Sequence, residues 1–172
     1  AWALAKVPLL HWIRPRVVKA TDEEVRISIP LDRRNRNHLG SMYFGVLACG
    51  ADLCCGLLAT RRIFAHGQPV SLVFKDFHAD FLKRPEGATH FICREGEKVD
   101  RLVREALASG HRVSETLAID AVCPSQGEDE VVARFRLTLS LKKKTHRRAI
   151  PGVLSSLTPA WLEKKFGQFS MI

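Results

Sequence analysis

The chain has 172 residues, 46% of them apolar and 26% charged, with 27 Lys and Arg against 18 Asp and Glu. This balance fits one domain with a substantial core and excludes a disordered or fibrous chain. The net charge of +9 is of a size that attracts polyanions: nucleic acid, a membrane surface or a phosphate-rich ligand.

Residues 2–13 place Trp2, Leu4, Ala5, Leu9, Leu10, Trp12 and Ile13 at the spacing of an amphipathic helix, interrupted at Pro8 and stopped at Pro15. Val25, Ile27, Ile29 and Leu31 alternate with polar residues as in a strand, and Pro30 marks its end or an edge. Asp32 to Leu39 reads as a polar loop. Ser41 to Thr60 follows as a long apolar helix with one carboxylate, Asp52. A helix apolar on all sides is expected to be buried, and a buried carboxylate must be paired, shifted in pKa or functional. The run is long enough to raise a membrane span. Its weakly apolar Gly, Ala and Cys and its central Asp argue against one.

Gly67 to Pro69 breaks the helix. Val70 to Leu82 predicts a long strand whose apolar phase changes across Lys75-Asp76. Either a β-bulge there keeps both apolar sets on one face, or the two halves face opposite ways. A short strand over 88–94 and a helix from Val99 to Leu107, ended by Gly110, come next. Strand alternation then runs from Val113 to Cys123 and, most cleanly, from Val131 to Leu141. Residues 1–145 are read as one domain and 146–172 as a partly ordered C-terminal tail. Several amphipathic strands must bury one face against something, and the long helix is the only element apolar enough. The fold class is therefore α+β, an antiparallel sheet wrapped around a central helix.

The five cysteines lack CxxC spacing and read as reduced thiols in a cytoplasmic protein. No signal peptide is legible. Asp76, His78 and Asp80 form a D-x-H-x-D pattern that could bind a metal, but a solvated strand face is the preferred reading, and neither metal nor cofactor is expected. The basic run Lys142–Lys144, Arg147 and Arg148 could attract nucleic acid, but few aromatics interleave it and that partner ranks last.

The predicted architecture is that of the hotdog fold, and the resemblance extends to residues. Asn37, Gly45 and Asp52 match three positions of the segment seen in phenylacetyl-CoA-type hotdog thioesterases, with Tyr43 and Phe44 replacing that segment's His and first Gly. Val70–Arg84 and Val131–Lys144 resemble a sparsely characterised branch of the superfamily labelled as thioesterases. The resemblance spans roughly residues 15–145. It implies hydrolysis of an acyl thioester of coenzyme A or acyl carrier protein. Asp52 would activate a water, backbone amides near Phe44 and Gly45 would polarise the carbonyl, and Asn37 would orient one or the other. Tyr43, Phe44, Cys49, Phe74 and His78 are assigned to the substrate. Gly45 and Asp52 lie on one helical face about 10 Å apart along the axis, too far for one thioester to touch both. A homodimer or dimer of dimers, pairing Gly45 of one chain with Asp52 of the other, is therefore expected. The alternative is a non-catalytic hotdog protein that holds an acyl ligand or a polyanion.

Overall fold

The computed structural model describes residues 7–127 and 129–144. In chain order they form α1 (Pro8–Ile13), β1 (Arg16–Ala20), β2 (Val25–Ile29), α2 (Phe44–Ala65), β3 (Val70–Phe81), β4 (Thr89–Cys93), α3 (Gly96–Ser109), β5 (Val113–Val122) and β6 (Val131–Lys143). The tail 146–172 lies outside the described residues, as do Trp2, Leu4, Ala5, Arg147 and Arg148.

The six strands make one antiparallel sheet in the order β1-β2-β4-β5-β6-β3. Alternation decides which face is buried. Val25, Ile27 and Ile29 of β2, Leu117, Ile119 and Ala121 of β5, and Phe135, Leu137 and Leu139 of β6 all turn to the helical side and are buried. α2 and α3 cover that side. The outer face carries a hydroxyl ladder instead, with Thr116 beside Thr138 at 2.9 Å and Ser114 beside Ser140 at 3.0 Å.

Pro8 opens α1 within its first turn, where a missing N–H costs nothing; the part of the expected helix that precedes residue 7 lies outside the described residues. β1 was not foreseen. It offers only Val17 and Val18 between charged neighbours, and a register shift after Val17 destroys its alternation. The β3 bulge is present: Phe74 pairs with Leu139 and Phe77 with Leu137, so Lys75 and Asp76 together oppose Thr138. Its effect is to hold Phe74 and Phe77 on the same, inward face.

α2 has the length and composition of a membrane-crossing helix, yet half of its apolar window is buried within the fold. Gly50 sets how closely it meets the sheet. A Cβ there would lie 2.3 Å from the Phe91 ring on β4. The expectation that α2 is covered on all sides is overturned. Leu47, Gly50, Ala51, Cys54 and Leu58 are buried, whereas Phe44, Asp52 and Thr60 are exposed. The second face is also largely apolar, with Ala48, Cys49 and Gly56 half-buried beside Phe74 of β3 and only partly covered by the described residues.

The far end of α2 is fastened to α3. Asp100, only 8% exposed, takes hydrogen bonds from Arg62 and Arg104 and lies 2.8 Å from His66 Nε2. Partial burial alone would raise its pKa, but the bonds from His66, Arg104 and Arg62 outweigh it and hold the carboxyl at about 2. Gly110 ends α3 with φ of +66°, a left-handed conformation that suits glycine.

Candidate active site

α2 begins at Phe44 with no side-chain cap on its first turn. The amides of Val46 and Leu47 donate to Tyr43 O, at 2.9 and 3.2 Å. Those of Phe44 and Gly45 find no acceptor among the described residues. Two unsatisfied donors at the positive end of a 22-residue helix are suited to an oxyanion. The Tyr43 ring lies over Gly45, so that a Cβ at position 45 would fall 2.6 Å from it, and it packs on Phe44 with centroids 4.8 Å apart.

Asp52 stands two turns further along. It makes no hydrogen bond or ion pair with any described residue, and so pairs with no arginine among them. It lines a shallow depression of about 460 Å³ between α2 and the edge strand β3, together with Cys49, Phe74, Lys75, Phe77 and Leu137. Asp52 remains exposed in the single chain, which corrects the expectation of a sequestered acid. The surrounding protein nonetheless desolvates it enough to raise its pKa above the usual carboxylate value. Burial, and then the neighbouring Asp52, raise the Cys49 thiol, which keeps it protonated and a poor nucleophile.

The other residues divide. Phe74 joins the depression. His78 does not: after the bulge it pairs with Arg136 and shares that residue's outer face. Lys75, in the bulge, takes the place at the depression instead. Asp76 also faces the depression and accepts the Thr138 N–H at 3.1 Å, while Asp80 meets Arg136 at 3.7 Å. Asp76, His78 and Asp80 therefore do not converge, and no group of three or more His, Cys, Asp or Glu among the described residues is arranged to hold a metal. The Asn37 carbonyl accepts the N–H of Leu39 (2.9 Å), the N–H of Ser41 (3.2 Å) and the Ser41 hydroxyl (3.3 Å). It builds the turn before α2 and has little capacity left for a water.

Asn35 escaped notice in the sequence. It is fully buried, and its Nδ2 donates to Ile13 O (3.1 Å) and Pro30 O (2.8 Å). Its backbone carbonyl accepts the Tyr43 N–H at 2.8 Å. It thereby ties α1 and the arginine-rich loop to the first residue before α2. The only signal was an Asn in a polar loop, which most often marks a turn. A second hollow, of about 520 Å³, lies on the outer side of α3 among Glu97, Arg101, Arg104 and Glu105, remote from Asp52 and from the α2 amides.

A six-stranded antiparallel sheet packed against one long helix defines a protein of the hotdog fold. Residues 1–141 match the family described as a domain of unknown function, DUF4442, and the chain belongs to that family. Solved structures agree on the fold. A protein of Pseudomonas aeruginosa, PA5026, described as a probable thioesterase, is 23% identical with a TM-score of 0.68, over 82% of this chain and 91% of its own. A protein of unknown function from Chlorobaculum tepidum is 14% identical, with a TM-score of 0.69 over 83% and 91%. The thioesterase HI1161 of Haemophilus influenzae is 14% identical, with a TM-score of 0.61 over 82% and 87%. No curated protein matches the sequence.

Proposed function

We propose that the chain hydrolyses an acyl thioester carried by coenzyme A or acyl carrier protein. The observation that carries this reading is Asp52: a carboxylate of raised pKa, without a partner among the described residues, on the wall of a mostly apolar depression. Such a group is a stronger base than a free carboxylate and can take the proton of an attacking water. The water adds to the thioester carbonyl, and the resulting oxygen anion is held by the amides of Gly45 and Phe44. Collapse expels the carrier thiolate, which leaves as the free thiol. Phe74 and Cys49 line the acyl path, and Asn37 fixes the turn that presents Tyr43 and Phe44.

Gly45 and Asp52 are seven residues apart on one helix, about 10 Å along the axis. One site therefore requires the Gly45 of one protomer and the Asp52 of another. Support comes from the partly covered stripe of α2 and from β3, a 12-residue edge strand that leaves Val73, Phe77 and Phe81 exposed. Long apolar edges of this kind seek a partner. A homodimer, or a dimer of dimers, would cover Asp52 and complete both sites. All five thiols are free, in keeping with a reducing, cytoplasmic setting.

One observation favours a second reading. The Tyr43 ring stands over Gly45 and could close the donor pair, leaving a protein that holds an acyl ligand without cleaving it. Free-thiol release over a panel of acyl-CoA chain lengths separates the two. The hydrolytic reading expects turnover that Asp52→Asn removes; tight acyl-CoA binding without thiol release would leave only the second.

A further inference from the structure

The N-terminal helix α1 is apolar on two faces. Leu10 and Ile13, three residues apart, are buried in the fold, whereas Leu9 and Trp12, also three apart, are 54% and 56% exposed. One face satisfies the core; the other meets water. Around that outer face cations outnumber carboxylates: Arg14, Arg16, Arg33, Arg34 and Arg36 stand against Asp32, which pairs with Arg14. Residues 7–21 contain no carboxylate, and residues 25–51 contain one, Asp32. The Arg34 guanidinium lies 4.9 Å from the centroid of the Trp12 ring. Arg16, Arg33 and Arg36 are exposed and form no ion pair among the described residues.

From this arrangement we infer that α1 and the Arg33–Arg36 loop form a docking surface for an anionic phospholipid membrane. The helix would lie on the bilayer and not span it, with Leu9 and Trp12 at the headgroup–acyl boundary and the arginines against lipid phosphates. Charge complementarity selects an anionic partner. The exposed Leu9 and Trp12 select lipid over nucleic acid, which offers an aliphatic side chain nothing to bury against. Two apolar side chains fall well short of the area that a stable protein interface buries, but suffice for an interfacial anchor supported by cations. The surface is not isolated from the candidate active site. The side chain of Asn35 donates to Ile13 O, and the Asn35 backbone carbonyl accepts the Tyr43 N–H, so α1 and the start of α2 are joined through one residue. The inference does not depend on hydrolysis.

Co-sedimentation of the 172-residue chain with phosphatidylglycerol–phosphatidylcholine vesicles, against phosphatidylcholine alone, tests it. Binding to the anionic vesicles should exceed binding to neutral ones by at least about tenfold and weaken with salt. The pair Leu9→Glu with Trp12→Glu should abolish that excess while leaving the melting temperature unchanged. Arg33→Ala with Arg36→Ala, whose side chains are exposed, should lower it independently of α1. Replacing Lys142, Lys143 and Lys144 by Ala should leave it intact. Equal binding to both vesicle types, anionic binding that survives the Leu9/Trp12 pair, or stronger binding to a single-stranded oligonucleotide at the same ionic strength would each overturn the inference.

Discussion

Gly50 sits against the ring of Phe91, so close that a Cβ would lie 2.3 Å from it, and this contact dictates where Asp52 points. Successive residues turn by about 100° around a helix, so pressing position 50 onto β4 carries position 52 to the far side. There it borders β3. Core and candidate site are set by one packing decision. Gly50→Ala should therefore destabilise the fold by about 1–3 kcal/mol through overpacking, despite the better helix propensity of Ala. Denaturant unfolding measures it. A neutral or stabilising Gly50→Ala would mean that the helix stands further from Phe91.

Asp52 should set the acid limb of the activity profile. A base works ionised, so kcat/KM should fall as pH drops through the carboxyl pKa. Because desolvation raises that pKa, the limb should lie above the ordinary Asp value of about 3.9. Asp52→Asn should lower kcat by at least about a hundredfold, the scale of a lost general base, without shifting the melting temperature downward. A limb at or below the ordinary value would remove Asp52 as the base.

Asp100 gives a pH dependence of stability. Its folded pKa of about 2 lies below the unfolded value of 3.8. The stabilisation is thus complete above the unfolded pKa and is lost as pH falls from 3.8 towards 2. Its size is about 2 kcal/mol. The difference in unfolding free energy between the native chain and Asp100→Asn should be constant above about pH 5 and shrink below it. A gap that persists undiminished in acid would place the stabilisation elsewhere.

His78 and Phe74 should behave differently on substitution. Phe74→Ala should raise KM for acyl substrates, because its ring borders the depression. His78→Ala should leave kcat/KM within about twofold, since its side chain is on the opposite face of the sheet and touches no reacting group. A large loss from His78→Ala would place the substrate on the outer face.

Much of this was legible from spacing. The alternation in β2, β5 and β6, the helical period of α3 and the glycine that ends it all follow from burial of one face. The phase change at Lys75-Asp76 announced the bulge, but its consequence was missed. In a regular strand Phe74 and His78, four residues apart, would share a face; the extra residue reverses the parity and sends His78 outward. β1 was illegible because an edge strand of five residues needs little apolar pattern. The partly covered face of α2 was read as core for a different reason. An apolar residue left on a surface looks in composition like one in a core, and spacing does not distinguish them. Asn35 was overlooked because its importance lies in the distant carbonyls it reaches, which spacing does not record.

Under the proposed function each site combines the α2 amides of one protomer with the Asp52 of another, and subunit complementation tests that pairing. Gly45→Pro removes an amide donor, and Asp52→Asn removes the base; each homodimer should be nearly inactive in thiol release. After unfolding and refolding together in equal amounts, half of the dimers are mixed, and each holds one intact site, so activity should return to about a quarter of the native level. Mixtures no more active than the two variants alone would contradict the shared site.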